Sequence, residues 1–133
     1  MFRITRPFKI LATGQIPRPC LEVEIRNPHT QKSISVLALV DTGADECAMP
    51  AELADMLGHN LTKGKPKNIR TGSGLSASYS HTVDIKIDGF TVSNVLIDFM
   101  PNLHIPLLGV KSFLGNFILT VDYPKETFTL IKK

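Results

Sequence analysis

Two neighbouring runs constrain this chain more than any other feature. Leu21-Glu22-Val23-Glu24-Ile25-Arg26 alternates apolar and charged residues at every step, the period of a strand with one buried face. Ile34-Ser35-Val36-Leu37-Ala38-Leu39-Val40 is almost wholly apolar and rich in branched side chains, as in a strand covered on both faces. Asn27-Pro28-His29 carries turn chemistry between them, so the two runs predict a hairpin.

The remainder continues in the same style. Pro50 opens Ala51–Leu57, Gly58 follows directly, and Leu53, Met56 and Leu57 are apolar; Pro at the start and Gly past the end predict a short helix. Residues 59–68 hold Lys63, Lys65 and Lys67 around Gly64 and Pro66 and read as a solvated loop. Residues 71–78 are small and glycine-containing. Val83–Asp88 alternates again, Gly89 marks a turn into a strand over Thr91–Phe99, and a helical turn is expected over Val110–Leu114. Phe117–Val121 and Thr127–Ile131 predict two strands around Tyr123-Pro124-Lys125. Roughly seven short strands, one short helix and one helical turn predict an all-β sandwich or barrel. Its inner face is expected to include Leu21, Val23, Ile25, Val36, Leu39, Val83, Ile85, Val95, Ile97 and Leu108.

Composition bounds the rest. A chain of 133 residues, 43% hydrophobic and 20% charged, is an ordinary globular domain and not a disordered one. Residues 1–19 precede the first clear strand and are set apart as an N-terminal extension to a domain spanning 20–133. The net charge of +3 falls short of the dense basic face of a nucleic-acid binder, and no nucleic-acid partner is expected. Cys20 and Cys47 are too few for a disulfide framework. The N-terminus lacks the apolar core of a signal peptide, and no apolar run is long enough to span a bilayer; a cytoplasmic location is the expectation.

Asp41 stands out by its surroundings. It follows Leu37-Ala38-Leu39-Val40 and precedes Thr42-Gly43. A carboxylate at the end of a buried strand loses hydration and needs compensating donors, and the adjacent glycine lets backbone N–H groups approach. An aspartate that merely begins a turn is the plainer reading.

The wider context resembles a known family. Leu39-Val40-Asp41-Thr42-Gly43-Ala44 resembles the active-site motif of aspartic proteases. The helix ending at Gly58 and the glycine-containing stretch at 71–78 fall where single-domain members have a helical segment and a flap. Ile105-Pro106-Leu107-Leu108-Gly109 resembles the second family signature. Over residues 20–131 the chain is similar to retropepsin-like (retroviral-type) aspartic proteases, and its pattern is nearest that of bacterial and retrotransposon members.

The resemblance implies a small closed acid-protease fold with one lobe per chain. It also implies a homodimer, because the mechanism uses two aspartates and this chain carries one Asp-Thr-Gly. It implies peptide-bond hydrolysis of a polypeptide substrate, with Asp41 catalytic and no cofactor. Thr42 would hydrogen-bond across the dimer axis, or else serve as a plain turn hydroxyl. Gly43 would allow the carboxylates to approach and offer its carbonyl to substrate. Ala44 stands where other members have Ser, which implies a higher pKa for the aspartate pair and activity nearer neutral pH. Asp45 matches a residue that binds substrate backbone, or is simply a solvated carboxylate. Its partner in retroviral members is an Arg whose position here is Val110, leaving Lys111 or Arg70 as substitutes. Thr71, Gly72, Ser73 and Gly74 would form the flap, or a plain hairpin turn. Leu107, Leu108 and Gly109 complete the second signature.

Other chemistries find little support. Gly58–Pro66 has the wrong spacing for a phosphate loop and lacks its Ser or Thr. His29, His59, His81 and His104 share no ligand spacing, so no metal is expected. Cys47, close to the motif, reads as a buried apolar residue or as an oxidant-sensitive thiol. Lys63, Lys65, Lys67 and Arg70 read as a solvated face, with a preference for acidic substrates as the alternative. The rival to an enzyme is a catalytically silent peptide-binding or dimerisation module of the same fold.

Overall fold

The computed structural model describes residues 1–72 and 74–133. Its strands are β1 (Phe2–Pro7), β2 (Cys20–Arg26), β3 (Ser33–Val40), β4 (Ala48–Pro50), β5 (Lys65–Thr71), β6 (Gly74–Ile87), β7 (Phe90–Met100), β8 (Leu107–Leu108), β9 (Ile118–Asp122) and β10 (Thr127–Lys132). One helix, α1 (Glu52–Met56), and two 3-10 turns at Leu61–Lys63 and Leu114–Asn116 complete the described elements.

The alternating and apolar runs pair as the expected antiparallel hairpin, from Cys20↔Leu39 to Arg26↔Ser33. The larger sheet runs β2-β3-β8-β4-β7-β6, and β6 returns to β2 through Glu24↔Lys86, Ile25↔Ile85 and Arg26↔Asp84. The sheet therefore closes on itself into a single barrel-like lobe, which removes most open edges. β5 hangs on the N-terminal half of β6, from Lys65↔Ser80 to Thr71↔Gly74. The fold is mostly β with one short helix, in agreement with the expectation.

The interior is filled by Phe99, Phe113, Phe128, Met49, Leu57 and branched residues such as Ile25 and Ile85, each contributing about 1.5–3 kcal/mol on burial. Of the ten residues expected inside, Leu21, Val23, Ile25, Val83, Ile85, Ile97 and Leu108 are buried, and Val36 and Val95 pack against them. Leu39 is only half-buried; Ala38 takes the core position. β3 is thus not covered on both faces within one chain, since Ala38 alone of its residues is fully enclosed.

Several boundaries differ from the sequence reading, each for a local reason. Lys65–Thr71 is a strand where a loop was expected, because β6 supplies its entire set of backbone partners. Pro50 ends β4 opposite Met100 and does not open the helix, which begins at Glu52. The helical turn after the second signature forms at Leu114–Asn116, later than expected. Asn27, read as a turn residue, is buried and also caps α1: its Nδ2 and the Thr30 hydroxyl both donate to the Leu57 carbonyl, each at 2.9 Å, satisfying an orphan of the helix end.

β1, β10 and β9 form a separate three-stranded sheet. β1 lies antiparallel to β10 from Phe2↔Lys132 to Pro7↔Thr127. Ile4 enters the core, and the Phe2 ring packs on Phe90 and Phe117 with centroids 5.6 and 5.8 Å away.

Candidate active site

The hairpin delivers Asp41 to the point where β3 ends beside β8. These two strands run parallel, with Leu39↔Leu107 and Val40↔Leu108. The Leu39 amide donates to the Pro106 carbonyl at 2.9 Å and the Asp41 amide to the Leu108 carbonyl at 3.0 Å. The pairing continues past the strands. The Val110 amide donates to Ala44 O at 2.9 Å and the Lys111 amide to Asp45 O at 2.7 Å. The Gly109 amide points at Cys47 Sγ, 3.3 Å away. Residues 41–47 and 106–111, far apart in sequence, thus brace one another rung by rung.

Within this frame Asp41 is half-buried. Its Oδ1 accepts the Gly43 amide at 3.0 Å, and its carbonyl accepts the Ala44 amide at 3.1 Å. No other hydrogen bond reaches its carboxylate among the described residues. This one backbone donor occupies Oδ1 and leaves Oδ2 unengaged among the described residues. Thr42 and Gly43 are exposed, and the Thr42 hydroxyl has no hydrogen-bond partner among the described residues. The loop therefore presents a carboxylate and an unengaged hydroxyl to the outside of a single chain.

Beside it lies a cavity of about 450 Å³, walled on one side by Gly43–Glu46 and on the other by Lys67, Ile69 and Arg70, with Asp98, Met100, Leu103 and Leu107 behind. Asp45 lines this cavity and is exposed. Neither candidate cation takes the role of the retroviral Arg: the Lys111 ammonium lies 3.8 Å from Glu46, and no ion pair reaches Asp45 among the described residues. The Lys111 N–H holds the Asp45 main-chain carbonyl, and the Asp45 carboxylate itself has no hydrogen-bond or ion-pair partner among the described residues.

Three charged residues of this cavity escaped the sequence reading as a group. Lys67 Nζ lies 2.9 Å from Asp98 Oδ1 and 3.1 Å from Glu46 Oε2, and the Ser80 hydroxyl donates to Asp98 Oδ1 at 3.0 Å. Burial pulls the Lys67 pKa down, but hydrogen bonds to Asp98 and then Glu46 outweigh it, and the net direction is up. Lys67 is thus not part of a solvated face. A buried aspartate in an otherwise apolar strand, Asp98 in Val95–Met100, was the one available signal.

The glycine-containing stretch forms the end of the β5–β6 hairpin, where Thr71 pairs with Gly74. Gly72 is exposed, Gly74 has a φ of +112°, and Ser73 lies outside the described residues. Leu75 is exposed beside it. In the second signature Leu107 is half-buried and faces the cavity, whereas Leu108 and Gly109 are buried. Cys47 is fully enclosed, and burial pushes its thiol up to about 11; it packs as an apolar residue. Cys20 is buried and also unpaired. Among the described residues no cluster of three or more His, Cys, Asp or Glu is placed to hold a metal ion, and no helix is long and apolar enough to cross a membrane.

Comparison with known proteins gives a consistent picture. The family model described as Aspartyl protease matches residues 22–112. No curated protein matches the chain. Among solved structures, a retropepsin-like aspartic protease from Rickettsia conorii is similar over 98% of this chain and 99% of its own, with 24% identity and a TM-score of 0.70. EIAV protease complexed with the inhibitor HBY-793 is similar over 75% of this chain and 88% of its own, with 20% identity and a TM-score of 0.55. At these identities the structural likeness bears on the fold, which is the retropepsin-like one in a single lobe.

Proposed function

The chain belongs to the aspartyl protease family, and from that premise we propose that it is an endopeptidase that works as a homodimer through Asp41 of both copies. One observation carries the reading: Asp41 is fixed by the Gly43 amide in a loop braced by the second signature, while its carboxylate and the Thr42 hydroxyl remain open to a second copy. A two-fold axis passing beside this loop brings Asp41 against its equivalent and pairs Thr42 across the axis.

Two carboxylates about 3 Å apart cannot both ionise comfortably, so they share one proton and titrate as a unit. The ionised member takes a proton from a water molecule held between them. That water attacks the scissile carbonyl carbon while the protonated member gives its proton to the carbonyl oxygen. Collapse of the tetrahedral gem-diol breaks the C–N bond: the amine leaves with the proton taken from the water, and one hydroxyl returns its proton to the pair, which ends with the single proton it began with. No covalent enzyme intermediate forms. The substrate lies extended between the β5–β6 hairpin and the Gly43–Glu46 wall, its backbone bonded by Gly43 and Asp45 and its side chains in the adjoining cavity.

The test is cleavage of a diverse peptide library by wild type and Asp41→Asn from about pH 4 to 8, with and without a statine-type inhibitor, alongside sedimentation to read the assembly state. Cleavage that is inhibited by statine and lost in Asp41→Asn is the expected result. A folded dimer that cleaves nothing would replace the endopeptidase with a peptide-binding module.

A further inference from the structure

The inner face shared by β5, β6 and β7 is polar at positions where a barrel interior is ordinarily apolar. Lys67 stands opposite Ser78 in the β5–β6 register, and Ser80 stands opposite Asp98 in the β6–β7 register. Cross-strand partners share a face, as do residues two apart on one strand, so Lys67, Ser78, Ser80 and Asp98 form one stripe. Asp98 is 4% exposed, and the Ser78 hydroxyl is buried without a hydrogen-bond partner among the described residues. The stripe ends on Glu46, in the loop that follows Asp41, through the 3.1 Å contact from Lys67.

Such an arrangement is a poor way to gain stability. Apolar residues of similar volume commonly hold a site like this equally well or better. Its distinctive property is connectivity. One ammonium joins the strand leading toward the hairpin tip, the floor strand β7 and the catalytic loop, across the cavity that separates hairpin from loop.

We propose that Lys67 is a positioning residue: by bridging Asp98 and Glu46 it fixes the height of the β5–β6 hairpin above the Asp41 loop, so that an extended peptide meets both walls without first ordering one of them. The role rests on the endopeptidase reading for its kinetic consequence but not for its structural one. A hairpin already held in place spares the bound peptide the entropy of ordering it. Loss of the bridge therefore raises KM and leaves kcat largely intact, because Asp41 and its brace are untouched.

The decisive variant is Lys67→Met combined with Asp98→Leu. Lys67→Met alone strands Asp98 as a buried, uncompensated charge and is expected to lower Tm; the double variant removes both charges, leaves only the Ser80 hydroxyl without its acceptor, and is expected to lower Tm less than Lys67→Met does. In the double variant, amide hydrogen exchange across the β5–β6 pairs should rise about tenfold while the β2–β3 pairs stay unchanged, and KM for a cleaved peptide should rise about tenfold with kcat within about twofold. Lys67→Arg, which keeps a cation on both carboxylates, should restore exchange protection in the hairpin. Unchanged exchange in the double variant overturns the proposal whether or not the protein cleaves peptides, and raised exchange with a wild-type KM overturns it as well. If the wild type proves inactive yet the hairpin amides respond as stated, the tether stands and the endopeptidase reading falls.

Discussion

Gly109 lies so close to the backbone of Glu46 that a Cβ on residue 109 would overlap the Glu46 carbonyl and approach Ala44 O at 2.9 Å. The glycine is required by this close approach, since backbone cannot retreat as a flexible side chain can. Gly109→Ala forces residues 44–46 away from the second signature and strains the rungs to Val110 and Lys111. The expected cost is about 1–3 kcal/mol of stability, read by denaturant titration, with a loss of kcat/KM of at least about tenfold for a misplaced reacting group. A stable, fully active Gly109→Ala protein would show that the brace does not set the geometry of Asp41.

Ala44 follows the Gly43 amide that binds the Asp41 carboxylate, and its side chain carries no donor. Ala44→Ser introduces a hydroxyl near the carboxylate pair. A donor to the charged form lowers a carboxylate pKa, so the acid limb of the pH–rate profile should move acidward relative to wild type. Profiles of kcat/KM for the two proteins on one peptide provide the comparison, and coincident curves would refute the assignment.

His59 and His81 stack with ring centroids 4.5 Å apart, and each Nε2 meets a backbone carbonyl, that of Thr82 and of Leu61 respectively. A carbonyl only accepts, so each Nε2 carries the hydrogen and an added proton must go to Nδ1. Burial first, and then the neighbouring His81 with a smaller contribution from His29, hold the His59 pKa below its ordinary value of 6.5. As pH falls through 6.5 the unfolded chain takes up this proton before the folded one does. Stability is therefore highest above that pH, declines below it, and stops declining from this source once the folded ring titrates. His59→Gln retains an N–H donor for Thr82, and its stability should fall less between about pH 7 and 5 than that of wild type, as measured by urea midpoints at each pH.

Cys47 is enclosed, takes the Gly109 amide on its sulfur, and has a thiol pKa pushed up to about 11 by burial. The thiolate is the reactive form. Iodoacetamide at about pH 8 should leave Cys47 unmodified in the native protein and alkylate it fully in denaturant, which peptide mass mapping would resolve. Rapid native alkylation would mean that the 41–47 loop opens far more readily than its backbone rungs suggest.

The fold was most legible where each strand carries its own reason to be one. The alternation of residues 21–26 and the apolar run at 34–40 specify the pairing, and the structure follows it, although β3 encloses only Ala38 and is not covered on both faces. Asp41-Thr42-Gly43 and Leu107-Leu108-Gly109 were legible as motifs, although their meeting is a product of the parallel β3–β8 contact. β5 was not legible, because Lys65-Pro66-Lys67-Asn68 has no apolar period and is a strand only by virtue of β6. β1 contributes little to the core beyond Ile4 and takes its form from β10. The Lys67–Asp98 contact joins residues far apart in sequence whose neighbours give no hint of each other, and the His59–His81 stack is of the same kind; both exist only once β6 is in place.

The pairing of Phe2 with Lys132 sets these two residues side by side at one end of the three-stranded sheet. Tension applied between residues 2 and 132 loads the β1–β10 rungs one after another, as a zipper is loaded, and never all together in shear. A pull applied at Lys132 meets the same geometry. It strips β10, the middle strand of its sheet, and with it draws Phe128 and Leu130 out of the core. Resistance to such a pull, which follows the unfolding barrier and not the equilibrium free energy, is therefore set at the β1–β10 pair and not at the braced loop that holds Asp41.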